Sequence, residues 1–284
     1  MMKNLIRFDW AVKRLLRNKA NFKVIEGFLS ELLHDDIKIQ NILESESNQR
    51  YYDDKYNRFD MLVENSKQEL IAIEIQNNSE HDYFQRMIYG TSKLMIDHLF
   101  MGDKYEKLKK IISINIVYFD LGQGEDYVYY GKTNFQGLHK NDTLQLSEKQ
   151  KELFIKKEVA EIFPEYYIIK VNSFDESAKD TLDEWIYYFK TNKIEENFSA
   201  KGLKEAKEIL KEDNLPEKEI PDYKRYLEDL RYQASMTWSM KIDAEDYLKK
   251  KTILEIAKKC KLKGMNNEEI VELTGLSKNE IEKI

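Results

Sequence analysis

Residues 57–77, NRFDMLVENSKQELIAIEIQN, constrain the fold more than any other stretch of the chain. Two apolar runs of strand length flank a polar break at 64–69 that holds Asn65, Ser66 and Lys67, a pattern that predicts a hairpin. In the second run Ile71, Ile73 and Ile75 alternate with Ala72, Glu74 and Gln76. Glu74 and Gln76 therefore share a face, about 6.6 Å apart along the backbone. With the turn near 65–68, Asp60 lies on the neighbouring strand, and two carboxylates can converge on one point of the sheet surface. Like charges brought together in a partly buried place need a cation, and hard oxygen ligands with open positions suit Mg2+ or Mn2+. The pattern alone leaves a second reading open, in which Glu74 and Gln76 line the solvated face of an amphipathic strand.

The flanking sequence extends this picture. Apolar residues from Trp10 to Leu33 recur at three- and four-residue steps, predicting one long helix or two broken near Asn18–Asn21. Residues 37–44 alternate as a strand. Residues 81–102 read as a helix stopped at Gly102, and 109–120 as a continuous buried strand. Gly122 and Gly124 mark a turn, and strand-like material returns at 125–136 and 165–172. Beyond about residue 175 the pattern is wholly helical: TLDEWIYYF, AKGLKEAKEIL and a long segment from Tyr223 to Lys263, preceded by a charged connector that Pro216 and Pro221 bracket. The order describes an α/β fold, a mixed sheet with helices on its faces, followed by an all-helical tail.

Composition excludes several classes. With 42% apolar and 12% aromatic residues among 284, the chain has material for a full-sized core and is not an intrinsically disordered protein. No stretch approaches the roughly 18 apolar residues of a membrane span, and charges interrupt the opening segment, so the expected location is cytoplasmic. Cys260 is the single cysteine, and His34, His81, His98 and His139 show no ligand spacing, which argues against structural zinc and favours structural roles for the histidines. The net charge is −6, yet it is unevenly spread. Residues 1–24 carry Lys3, Arg7, Lys13, Arg14, Arg17, Lys19 and Lys23 against Asp9 alone, and 249–263 carry seven lysines against Glu255 alone. Either patch is a phosphate-binding surface or a solvated helix face.

The arrangement of Asp60, Glu74 and Gln76 resembles the PD-(D/E)XK nucleases, whose signature is an Asp on one strand and Glu-x-Lys on the next. The chain is more closely similar to bacterial PD-(D/E)XK nuclease family transposases, related to recombination-promoting nucleases, in which the last element is commonly Glu-x-Gln. The likeness extends to Asp9-Trp10-Ala11-Val12-Lys13, to the helix HDYFQRMIYGTSKLMIDHL and to GDKYEKLKKIISINIVYFD, and it spans roughly residues 5–175. It implies a restriction-endonuclease-like mixed sheet flanked by helices. It also implies a divalent-metal-dependent DNA endonuclease of recombination or mobile elements, with Asp60 and Glu74 holding Mg2+ (or Mn2+) and Gln76 orienting the attacking water. Gln76 stands where the wider superfamily has Lys and cannot supply its positive charge, so a catalytically silent nucleic-acid-binding module is the alternative. An early acidic residue from the first helix often joins such sites; Asp9 and Glu31 are both candidates, spacing does not decide between them, and the resemblance of the opening segment favours Asp9. Arg86 and Tyr89 reach a phosphate or serve packing, and Tyr51, Tyr52 and Tyr56 stack on bases or pack on a sheet edge.

The expected division is a nuclease-like core at 1–195, a helical extension at 196–264 and a helix-turn-helix-like hairpin at 265–284. In that hairpin Lys263-Gly264 ends one helix, Asn266 or Asn267 caps the next, Gly275 turns the chain, and Ser277 with Glu280 forms a capping box. The last helix presents Ser277, Lys278 and Asn279 to a DNA groove or packs as a dimerising hairpin. DNA is the expected partner, with a homodimer for cutting both strands and neither a membrane nor a small-molecule cofactor.

Overall fold

The computed structural model describes residues 5–16, 19–43, 59–99 and 102–284. Tyr51, Tyr52, Tyr56, Lys3 and Arg17 lie outside these residues. The chain forms two compact units, Met1–Leu215 and Pro216–Ile284.

In the first unit α1 (Phe8–Leu16) and α2 (Phe22–Leu33) are separate helices, and a 3-10 turn at Lys19–Asn21 leads into α2. Strands β1 (Ile39–Ile42), β2 (Met61–Asn65) and β3 (Leu70–Gln76) form an antiparallel meander. Asn65 builds the β2–β3 turn: its Oδ1 accepts the backbone N–H of Lys67 at 3.0 Å and of Glu69 at 2.9 Å. Gln68 takes the left-handed conformation that this tight reversal requires.

Next come α3 (Tyr83–Asp97), β4 (Ile111–Val117), β5 (Val128–Gly131), α4 (Glu148–Phe154) and β6 (Glu165–Lys170). They complete a six-stranded open sheet in the order β1-β2-β3-β4-β6-β5. β3, β4 and β6 run parallel, and β5 adds antiparallel at the edge. α3 is the crossover that a parallel β3–β4 pair needs. It ends at Asp97, five residues before Gly102, because His98 closes it: the ring Nδ1 lies 3.0 Å from the Leu94 carbonyl oxygen and the backbone N–H donates to Ile96. α4, which the periodicity did not suggest, starts at a capping box between Ser147 and Gln150.

Both faces of the sheet are covered. α3 packs on the face that carries Leu62, Ala72 and Ile111, through Leu94, and its first turns meet Val117, Phe119 and Leu121 through Tyr83 and Met87. The opposite face presents Met61, Val63, Ile71, Ile73, Ile114 and Ile116, all fully buried. α1, α2 and α5 (Thr181–Thr191) join through Phe8, Phe28, Trp185, Tyr188 and Phe189, whose ring centroids lie 4.7–6.3 Å apart. The alternation in β3 thus separates two packed layers rather than core from water. This is a mixed α/β sheet flanked by helices, consistent with the restriction-endonuclease-like architecture.

Residues 196–215 belong to the first unit. α6 (Leu203–Ile209) buries Leu203 and Ala206, and Leu210 follows them into the interior. Gly27 on α2 makes this possible, since a Cβ there would stand 2.3 Å from the Lys201 carbonyl oxygen.

The second unit is helical throughout. α7 (Ile220–Leu262) has Pro221 in its first turn, where a missing N–H costs nothing. α8 (Asn267–Thr274) and α9 (Lys278–Glu282) fold back on its end around Ala257, Ile270, Leu276 and Ile281. Asn266 pairs with Glu269 and Ser277 with Glu280 in two capping boxes, while Gly264 and Gly275 take positive φ at the turns. No described helix is long and apolar enough to cross a membrane.

Candidate active site

The hairpin register sets the site. Met61 pairs with Ile73, so the next step outward places Asp60 opposite Glu74. Asp60 lies just beyond the end of β2, and its Oδ2 accepts the Ile75 N–H at 2.7 Å. The carboxylate thereby takes over a ladder bond that β2 no longer supplies, and this anchors it beside β3. On the other side of β3, Glu74 pairs in register with Asn115 of β4. Asn115 is itself fixed by Tyr83 Oη (3.3 Å), Ser113 Oγ (3.1 Å) and the Tyr167 carbonyl (3.2 Å).

Glu74 is buried, 8% exposed, which removes the reading that it lines a solvated strand face. A buried carboxylate requires a compensating charge. Arg86, from the first turn of α3, provides one: Nη2 pairs with Glu74 Oε1, and Nη1 reaches Glu80 Oε1 at 2.7 Å. Gln76 joins the same cluster, its Nε2 donating to Glu80 Oε1 at 2.8 Å and to the Asn78 carbonyl at 3.1 Å. Burial works against the Arg86 charge, but Glu74 and Glu80 outweigh it and hold the guanidinium above its ordinary pKa. Burial, then Glu74, pushes the Tyr83 phenol upward, so Tyr83 remains a neutral hydroxyl and is no base near neutral pH.

Of the two further acids, Asp9 comes to this end of β3. Its Oδ2 accepts from Asn77 Nδ2 at 3.2 Å and pairs with Arg7 Nη2 at 2.9 Å. Arg7 in turn lies over the Tyr118 ring, 5.2 Å from its centroid. Asn77 directly follows Gln76, so the Arg7–Asp9 pair borders the cluster. Glu31 is engaged elsewhere: it accepts from Thr181 Oγ1 at 2.6 Å and from the Lys201 N–H at 2.8 Å, tying α2 to the start of α5. Tyr89 is half-buried on α3.

Sequence reasoning missed Glu80 as a member of the site. Its signal was the polar stretch QNNSEHD between β3 and α3, which has no periodicity to give it a direction. The sequence marks Arg86 as a phosphate contact or a packing residue; the structure makes it the counterion of Glu74. Among the described residues no three His, Cys, Asp or Glu side chains are placed to hold one metal ion. At this end of the hairpin stand the carboxylates of Asp60, which accepts from the Ile75 N–H, and of Glu74, which pairs with Arg86. One or two carboxylates completed by waters and substrate phosphates are the kind of donor set that could hold Mg2+.

In the second unit the seven lysines of 249–263 are all exposed, as are Ser277, Lys278 and Asn279. The Ser277 hydroxyl is engaged as the cap of α9, donating to Glu280 Oε2 at 2.8 Å.

No curated protein and no solved structure matches the chain. The family model described as PD-(D/E)XK nuclease family transposase matches residues 6–245, spanning the sheet, the Asp60–Glu74–Gln76 hairpin and part of α7. With this match over most of its length, and with a mixed six-stranded sheet flanked by helices, the chain belongs to the PD-(D/E)XK nuclease family transposases.

Proposed function

We propose that the protein is a divalent-metal-dependent endonuclease that hydrolyses phosphodiester bonds of DNA in recombination or mobile-element biology. The observation that carries this reading is Asp60, anchored by the Ile75 N–H, set against the buried Glu74. These two carboxylates would hold Mg2+ or Mn2+, which, when bound, lowers the pKa of a water and neutralises charge on the scissile phosphate. Gln76, whose amide hangs on Glu80 and the Asn78 carbonyl, would orient the attacking water. The exposed lysines at 249–263 would track phosphates, and a second copy of the chain would supply the second site for cutting both strands.

The neutral amide of Gln76 favours a second reading, a nucleic-acid-binding module that keeps the fold without catalysis. Nicking of supercoiled plasmid separates the two. Cleavage that needs Mg2+ or Mn2+, stops in chelator and vanishes in Asp60→Ala supports the nuclease. Absence of cleavage, with salt-sensitive DNA binding unchanged in Asp60→Ala, supports the silent module.

A further inference from the structure

The cluster around Glu74 contains a cation that the nuclease reading does not use. Arg86 spans two carboxylates, Nη2 on buried Glu74 and Nη1 on Glu80, and its side chain is still one-third exposed. Glu80 is also about one-third exposed and anchors Gln76 through the same Oε1. Arg86 therefore has one bond to the carboxylate that a metal would take, and a second bond that the metal would leave intact. Its five N–H donors exceed those two contacts, and the planar fork matches a phosphate.

Resting on the nuclease reading above, we propose that Arg86 is the cation that neutral Gln76 does not supply. It neutralises Glu74 until a divalent ion takes that carboxylate, and then, retained by Glu80, it turns its released Nη2 to the non-bridging oxygens of the scissile phosphate. Metal and arginine thus compete for Glu74. The competition has a directional consequence: removing the guanidinium strengthens metal binding while weakening the reaction. A merely structural arginine would weaken both.

The test titrates Mn2+ into the full chain by calorimetry, using wild type, Arg86→Gln, Arg86→Lys and Asp60→Asn, with plasmid nicking at saturating Mn2+ beside it. Arg86→Gln is expected to bind Mn2+ about tenfold tighter than wild type, the factor that about 1.4 kcal/mol of relieved competition yields. Its nicking is expected to fall about 100-fold, as for loss of one transition-state donor. Mn2+ should also raise the melting temperature of Arg86→Gln more than that of wild type, since a ligand stabilises in proportion to its affinity. If Arg86→Gln fails to fold, Arg86→Lys serves instead: it keeps the charge but cannot span both carboxylates, and several-fold tighter Mn2+ binding is expected. Mn2+ affinity equal to or weaker than wild type in the folded variants overturns the role of Arg86 and leaves the nuclease reading standing. No Mn2+ binding in wild type, or binding that Asp60→Asn leaves untouched, overturns the nuclease reading and the inference with it.

Discussion

Asp60 sits where it does because one of its oxygens replaces a backbone acceptor at the end of β2. An amide keeps that acceptor and loses the charge, so Asp60→Asn separates fold from chemistry. Its stability should stay within about 1 kcal/mol of wild type, the net worth of a typical hydrogen bond, while metal-dependent nicking is lost. Thermal melts beside plasmid assays check this, and a large loss of stability would mean that the charge itself holds the hairpin. Glu64 supplies a second expectation. Lys109 donates to its carboxylate, Asn41 adds a hydrogen bond at 2.8 Å, and together they hold its pKa below the ordinary value against the opposing effect of burial. A depressed folded-state pKa contributes stability above the unfolded value, near 4.5, and that stability is lost as pH falls through the folded value. Glu64→Gln should therefore be less stable than wild type at pH 7, with the gap narrowing below about pH 4.5 in acid denaturation curves. At this scale Asp60, Glu74 and Gln76 were legible because a hairpin turn sets register and register sets faces. Glu80 was not, because residues 77–82 follow no period and take their course from the packing of α3.

Elements were readable where periodicity was long and punctuated. The strands β1, β3, β4 and β6 and the cap at Ser277 stand where apolar spacing and turn chemistry put them, while the sequence left open one helix or two before β1, and Asn266 or Asn267 as the cap of α8; the structure has two helices and Asn266. The end of α3 was misplaced because Gly102 is the obvious stop, whereas His98 closes the helix through contacts that only the folded turn creates. α4 is short and mostly exposed, so its own apolar pattern is faint, although Ser147 and Gln150 spell its capping box. The close approach of α2 to residues 201–202 had only Gly27 as a trace. Gly27→Ala should cost about 1–3 kcal/mol, toward the upper end because the neighbour at 2.3 Å is backbone and cannot rotate away. Asn266→Ala removes a cap from an otherwise intact helix and should cost about 1 kcal/mol. Hydrogen exchange would place the first loss in α2 and α6 and confine the second to α8; a uniform loss in either variant would contradict that assignment.

For the whole molecule the decisive quantity is where positive charge lies, since the net charge of −6 opposes DNA binding while the exposed lysines of 249–263 favour it. Coulomb attraction to phosphate acts locally at physiological salt, because charges more than about 8 Å away are screened. An acidic chain with a concentrated basic surface can therefore bind DNA through that surface alone. Each phosphate neutralised releases condensed counterions, and the logarithm of the binding constant falls with the logarithm of salt concentration at about 0.9 per contact. Replacing Lys249, Lys250 and Lys251 together with Gln should reduce that slope by up to about 2.7 if all three touch phosphates. The nicking rate at saturating DNA should hardly change, because Asp60, Glu74 and Arg86 stand on elements of the other unit. Fluorescence anisotropy across a salt series, read beside single-turnover nicking, measures both. An unchanged slope would assign these lysines to a solvated helix face and shift the search for the DNA surface to the first unit. A slope that falls while single-turnover nicking is preserved would separate affinity from chemistry along the division at Leu215 and Pro216.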